Sequence, residues 1–516
     1  MSGAIRFVAH FAWCAAAYAQ ASGTGVMSGR VLDAVTGEPI RKVAVQSYLG
    51  SSYATSITNE RGEFRLEGLP AGSYRVLATK PGYINSAYGT ERNTQPGTYV
   101  KLAAGEQNPN INFRLTPAGA VSGSIVDSDG EPVAQARVVL IREVWRRGRW
   151  QFQMANQATT DERGEYRMFF VPPGRYVLEA AAAFGSRIGK TARLAAYYPR
   201  ASTLERAERL TIAPGKELSG LKIWTEIAPT ASIRARVEGA PEGVDPHVSL
   251  RATANEITRM SWSSTSSYQG LYRFEEIPSG PYEVWATAGK LLAVEKLTLA
   301  PGADRELTLR LKPFLEMNGE VVVEGPGAEK FRNFKVTLTR PTFRGGPAPT
   351  AAADPATLKF KFTGLEPGVW DIGVNVPPNG YLKSMTLGDL DVLNEEMELN
   401  ESPDAPLKIV VGTDGAQLTV EMENALPAIA LIAPTGKLRD IESHRRFLYT
   451  DADGKIPVRG MPPGEYRVWA FEDVDASQLS PEFLDRHEKF ATTVRLAAGQ
   501  SAVVKVKRIE SAGGAQ

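Results

Sequence analysis

Apolar and polar residues alternate with a period of two along most of the chain, and the alternation is punctuated by glycines on a fixed ruler. A turn glycine is followed ten residues later by a second glycine and then x-aromatic: Gly62 and Gly72, Gly164 and Gly174, Gly270 and Gly280, Gly454 and Gly464. A further copy has Leu358 in the first place and Gly368 in the second. Beyond each second glycine one face reads aromatic, aliphatic, small or aliphatic: Tyr74, Val76, Ala78; Tyr176, Leu178, Ala180; Tyr282, Val284, Ala286; Trp370, Ile372, Val374; Tyr466, Val468, Ala470. The opposite face is mixed (Arg75, Val177, Glu283, Asp371, Arg467). Such alternation predicts a half-buried strand opened by the second glycine in each copy. Recurrence at about 90–105 residues predicts a string of similar domains rather than one large core.

Turn chemistry supports the same reading. Thr58-Asn59-Glu60-Arg61-Gly62 and Thr160-Asp161-Glu162-Arg163-Gly164 are near-copies, with Thr450-Asp451-Ala452-Asp453-Gly454 looser. Asn and Asp bond their own backbone and Gly takes positive φ cheaply, which predicts hairpin turns. Pro-Gly variants precede the aromatic strand, as in Pro172-Pro173-Gly174. Ala-x-Gly runs precede the last strand of most units: Ala103-Ala104-Gly105, Ala213-Pro214-Gly215, Ala300-Pro301-Gly302 and Ala497-Ala498-Gly499. The first unit then holds about seven strands, the number expected of a β-sandwich.

Within this frame two segments resemble a known family. Ser28-Gly29-Arg30-Val31-Leu32-Asp33-Ala34-Val35-Thr36-Gly37-Glu38-Pro39-Ile40 with Val43-Ala44-Val45 resembles the carboxypeptidase regulatory-like domain. Val121-Ser122-Gly123-Ser124-Ile125-Val126-Asp127 with Gly130-Glu131-Pro132-Val133 is similar to it in the second unit. The later units keep only the ruler and the inward strand. The resemblance implies a seven-stranded, transthyretin-like or Ig-like sandwich, grouped with carbohydrate-binding, starch-binding-like domains and found beside a catalytic unit or an outer-membrane receptor. Tyr197-Tyr198-Pro199 and Gly388-Asp389-Leu390-Asp391-Val392 look like tandem arrays in large secreted proteins of soil bacteria.

The expectation is therefore an all-β tandem array of about five seven-stranded β-sandwiches, shaped as a rod or bent string. Its boundaries are a signal peptide at 1–22, carboxypeptidase regulatory-like sandwiches at 23–117 and 118–228, further sandwiches at 229–313, 314–412 and 413–510, and a flexible tail at 511–516. Thr116-Pro117-Ala118-Gly119 and Ala228-Pro229-Thr230 read as short linkers that limit bending. Gly345 to Pro355 reads as a loop inside the fourth unit, and Ser480-Pro481-Glu482-Phe483 as a capped helix start running to about Phe490.

Composition narrows the function classes. With 59 basic and 58 acidic residues the net charge is +1, which gives no global field for nucleic acid or an anionic membrane. Arg6, the apolar run from Phe7 to Ala17 and the small-x-small Ala17-Tyr18-Ala19 read as an export signal, placing the protein in the periplasm, on the outer membrane or outside the cell. No further segment reaches the ~20 apolar residues of a membrane helix. The single cysteine, Cys14, lies inside the signal.

The search for chemistry favours binding over catalysis. His247, His444 and His487 are scattered, none is followed by Glu at the third position, and no G-x-S-x-G elbow or phosphate-binding glycine loop appears. Asp451 and Asp453 have no further carboxylates near them in sequence to complete a calcium shell. No catalytic residue, metal or cofactor is assigned. The most unusual stretch is Trp145-Arg146-Arg147-Gly148-Arg149-Trp150, a hairpin tip flanked by tryptophans. Indole faces stack on sugar rings and arginine forks bind carboxylates, so an acidic glycan is one reading. The other is a long hairpin whose tryptophans pack on the sandwich while the arginines stay wet. Tyr197 and Tyr198 read either as a surface platform or as an inter-domain plug, and Trp262 with Tyr268 and Trp469 with Phe471 carry the same two readings. A non-catalytic glycan-binding protein is the first expectation, with an envelope scaffold holding a partner protein as the alternative and a cryptic hydrolase as a third.

Overall fold

The computed structural model describes residues 24–90, 97–146, 149–181, 187–188, 190–253, 261–263, 266–268, 270–340, 348–424, 428–450, 454–472, 474 and 479–510. The segment 1–22 read as a signal, Cys14, Arg147, Asp451, Asp453 and residues 511–516 lie outside them. Five units follow one another, each a pair of sheets closed over its own core. In the first unit the opening strand Gly25–Asp33 pairs antiparallel with Glu63–Leu69 and parallel with Phe113–Leu115, while Ala44–Leu49 lies between Ser52–Ile57 and Gly72–Thr79 in the second sheet. The second unit repeats the scheme with Gly119–Val126, Glu165–Val171 and Glu217–Trp224 against Arg149–Thr159, Arg137–Arg146 and Gly174–Ala181.

The ruler has a physical basis at both ends. Gly62, Gly164, Gly270 and Gly454 all have φ of 70–76°, and Leu358 adopts 57° in the copy without glycine. In that left-handed conformation the turn residue presents its carbonyl to the opening strand: Val31, Ile125, Val237, Val321 and Met422 donate their N–H to it at 2.8–3.2 Å. Leu358 keeps the hydrogen bond and accepts the backbone strain, while its side chain joins the fourth core. At the other end, the second glycine opens a strand in all five units. The aromatic two residues on returns to the carbonyl four residues before it: Tyr74 to Pro70 at 2.6 Å, Tyr176 to Pro172 at 2.6 Å, Tyr282 to Pro278 at 2.8 Å, Tyr466 to Pro462 at 2.6 Å, and Trp370 Nε1 to Glu366 at 3.1 Å. The inward triplets sit in or against the five cores as the alternation predicts.

The turns at Asn59 and Asp161 differ from the hairpins expected. Asn59 Oδ1 accepts from the N–H of Arg61 and Glu63, and Asp161 Oδ1 from those of Arg163 and Glu165, so the local chemistry is as read. Yet the strands they join belong to different sheets, so each turn arches over the edge of the core. A buried threonine before the turn anchors the arch: Thr58 Oγ1 donates to Ile40 O at 2.7 Å and accepts from Val43 N, and Thr160 Oγ1 does the same with Val133 O and Ala136 N.

A left-handed residue also stands four places before each strand-opening glycine: Gly68, Phe170, Glu276, Gly364 and Gly460, with φ of 55–73°. There the register between the opening strand and its antiparallel neighbour slips in every unit, forming a β-bulge.

Linkers are bonded to the unit they leave. Ala118 N donates to Gly82 O, Phe314 N to Lys290 O and Gly415 N to Asn379 O, at the turn following the aromatic strand, and Thr230 N donates to Lys190 O, beside the short hairpin Arg187–Ile188 and Thr191–Arg193. The array bends far enough for its first and last units to meet. Thr98 Oγ1 lies 3.5 Å from Thr450 Oγ1 in a buried contact, and Arg114 lies 3.9 Å from Glu472, which Arg508 holds at 3.5 Å. Of the two shapes expected, these contacts exclude the straight rod. The predicted helix is present as Pro481–His487, capped by the Ser480 hydroxyl and followed by a 3-10 turn at Glu488–Phe490. It covers the outer face of the last unit, where Trp469 and Phe471 are buried. Among the described residues no helix is long and apolar enough to cross a membrane.

Candidate functional site

The tryptophan hairpin grows out of the second unit's inner hairpin. Arg137–Arg146 and Arg149–Thr159 pair along their full length, with Trp145 opposite Trp150 and Glu143 opposite Phe152. Cross-strand pairing puts the two indoles edge to face, ring centroids 5.3 Å apart and planes at 80°. Trp150 is 42% exposed, so much of one indole is open to solvent. Trp145 is half-buried and its Nε1–H, shielded from solvent, has no hydrogen-bond partner among the described residues.

Below the indoles the outer face turns ionic and then apolar. Glu143, its side chain only 7% exposed, is held by Arg209 at 2.8 Å and Arg175 at 3.4 Å. The Arg209 guanidinium also lies 5.7 Å from the Phe152 ring and donates to the carbonyls of Leu204 and Ala207. Val139, Ile141 and Val177 continue the face under Leu204 and Ala207. Both sequence readings of this hairpin are thus realised in part: Trp145 packs, while Trp150 stays wet. The side chains of Arg146 and Arg149, like all of Arg147, lie outside the described residues.

Tyr197 and Tyr198 do not extend this site. Tyr197 is 3% exposed and packs with Val139, Ile141 and Leu204 on the outer face of its own sheet. Tyr198 packs against the core of the same unit. Their strand pairs with the aromatic strand (Tyr197 opposite Glu179), which explains why they form neither a platform nor an inter-domain plug. The side chains of Trp262 and Tyr268 lie outside the described residues.

Sequence reasoning did not find a cleft of about 1010 Å³ between the fourth and fifth units. Its aromatic walls are already bonded: Tyr381 donates to Asp414 at 3.2 Å, Tyr466 to Pro462 O, and the Trp370 ring lies under Arg340 at 4.7 Å. His444 Nε2 meets Asn394 Oδ1 at 2.6 Å across it, and Ser443 Oγ donates to Leu393 O. Burial, then the Arg446 charge, hold the His444 imidazole below its usual pKa against the opposing pull of Asp391. Nothing in the spacing of His444 and Asn394 signals this pairing, which depends on how two units meet. The arrangement serves as a joint. Among the described residues no three His, Cys, Asp or Glu side chains gather as a metal site.

Residues 26–116 and 120–197 match the model of the carboxypeptidase regulatory-like domain. No curated protein matches the chain. Among solved structures, the TIE protein of Bacillus anthracis is 14% identical with a TM-score of 0.18, the match covering 56% of this chain and about half (51%) of that one. The minor pilin GBS52 of Streptococcus agalactiae is 19% identical over 40% of this chain and 98% of its own, TM-score 0.23. BcpA, the major pilin subunit of Bacillus cereus, is 11% identical over 56% of this chain and 99% of its own, TM-score 0.16. At these scores the overlap is too slight to carry an argument. The two-sheet units and the family match agree: residues 26–116 and 120–197, which match the carboxypeptidase regulatory-like domain, form the first two units of a five-unit β-sandwich array.

Proposed function

We propose that this chain is an exported, non-catalytic binding protein whose second unit docks an acidic glycan on the tryptophan hairpin. The observation that carries the reading is the pair of indoles: Trp150 is open to solvent and stands edge to face with Trp145, whose Nε1–H has no hydrogen-bond partner among the described residues. A sugar ring can stack on the exposed Trp150, and stacking on an aromatic face is tolerant of which sugar is present. Arg146, Arg147 and Arg149 at the tip supply the charge that selects a carboxylate-bearing sugar. Fold-level kinship alone is a weak warrant for ligand choice, so the test is direct. On an array of uronate-containing and neutral glycans, the full chain is expected to retain the acidic members. Trp150→Ala is expected to abolish retention without lowering Tm. Equal retention of neutral glycans, or unchanged retention by Trp150→Ala, sinks the reading.

A scaffold role, in which the array holds a partner polypeptide, is favoured by a different observation in the same unit, the exposed Phe169 and Phe170.

A further inference from the structure

In the second unit the left-handed bulge position holds Phe170, where three of the other units hold Gly68, Gly364 and Gly460. Glycine is the residue that this backbone favours. Phe170 is nonetheless present and 57% exposed, with neighbouring Phe169 at 54%, so the strained residue adds nothing to the core. Strain of this kind, retained at the surface, marks a place whose side chain is wanted for something other than folding.

The strand that carries them, Glu165–Val171, is an edge. It pairs with Gly119–Val126 on one side, and among the described residues no strand pairs with it on the other. Asn156 Nδ2 donates to Phe169 O at 2.9 Å, tying the end of this edge to the long hairpin strand, on which Met154 is 44% exposed. The third unit shows what the same edge can accept. There Leu271–Ile277, the equivalent strand, receives the short strand Ser266–Tyr268 from its own chain, with Ser266 opposite Arg273 and Tyr268 opposite Leu271. In the second unit the chain that would supply this strand stays paired in the hairpin up to Thr159, opposite Arg137. The position is left open.

We propose that the free edge of Glu165–Val171, flanked by Phe169, Phe170 and Met154, accepts an extended, acidic strand from a partner polypeptide. Main-chain pairing supplies affinity, and the exposed apolar side chains select alternate positions of the incoming strand. Charge sets the partner's sign. The adjoining hairpin, residues 137–159, contains five arginines (Arg137, Arg142, Arg146, Arg147, Arg149) against a single carboxylate, Glu143, which Arg175 and Arg209 already share, and the edge with its leading turn adds Asp161, Glu162 and Glu165 against Arg163 and Arg167, so basic charge stays in excess. An acidic strand meets this field favourably and a basic one does not. A second copy of this chain would set one arginine-rich hairpin near another.

The test uses the full chain and a fluorescein-labelled nine-residue peptide alternating glutamate with valine, with a central phenylalanine. Saturable anisotropy change at micromolar protein is expected, and Phe170→Gly is expected to weaken it at least tenfold while Tm holds or rises. That pairing of outcomes separates lost binding from lost folding. Trp150→Ala is expected to leave peptide affinity unchanged, which keeps this site distinct from the glycan reading. Equal binding of a lysine-for-glutamate peptide, or of a peptide with prolines that block main-chain pairing, overturns the proposal. So does unchanged affinity in Phe170→Gly. Dimerisation of the chain at the same concentrations, abolished by Phe170→Gly, would assign the edge to a second copy and overturn the acidic-partner assignment.

Discussion

The first and second units share a fold, both match one family model, and they differ in what they build on it. In the first, the inner hairpin strands Ala44–Leu49 and Ser52–Ile57 are six residues each, and on the outer side Tyr53 is 69% and Ile57 58% exposed. In the second, the corresponding strands are ten and eleven residues long, and the outer face is covered by Leu204 and Ala207. The inward triplets, the arch threonines and the corner hydrogen bonds are the same in both. One face of each sheet therefore specifies the sandwich, leaving hairpin length and the opposite face open to elaboration.

The sharpest way to break this comparison is to remove the shared corner. Tyr74→Ala and Tyr176→Ala should each destabilise their own unit by about 3–5 kcal/mol, as truncation of a buried aromatic does. Urea unfolding with hydrogen exchange resolved by unit would show it; a much smaller loss in one unit would mean the corners are not equivalent. Leu204→Ala comes next, with a loss of about 2–3 kcal/mol confined to the second unit, whose outer face Leu204 covers. Gly68→Phe imports the second unit's left-handed phenylalanine into the first and should cost about 1–2 kcal/mol in backbone strain, seen as a lowered Tm. The smallest effect is that of pH. Burial raises the Tyr74 hydroxyl above its usual pKa and pushes that of Tyr466 up to about 12. A phenol whose folded pKa is raised gives stability that is complete below the unfolded value near 10 and declines as pH rises toward the folded one. Stability should fall between about pH 10 and 12, and Tyr466→Phe should flatten that fall; an unchanged alkaline profile would contradict the burial.

Much of the fold was legible because its signals are local. A ten-residue spacing, a glycine at each end and an alternating triplet sufficed to place five strands and five cores. What escaped depends on pairing at a distance. Turn residues at Asn59 and Asp161 announce a reversal, but nothing in them says whether the next strand joins the same sheet or the facing one. Tyr197 and Tyr198 read as surface or plug because their burial is set by the strand Gly174–Ala181 and by Leu204, neither adjacent in sequence. Phe170 carries no sequence mark of positive φ, since a phenylalanine gives none; only alignment with Gly68 and Gly460 exposes it. The meeting of Arg114 with Glu472 spans nearly the whole array and has no local signal at all.

The bulge position has an implication for how such a protein diversifies. It is a single backbone socket repeated five times, filled by Gly68, Phe170, Glu276, Gly364 and Gly460. Exchanging the occupant alters what one module shows to its surroundings while the neighbouring modules stay as they are, at a cost in backbone strain and without touching packed interior. Evolution, or an engineer, can thus vary recognition along the array one socket at a time.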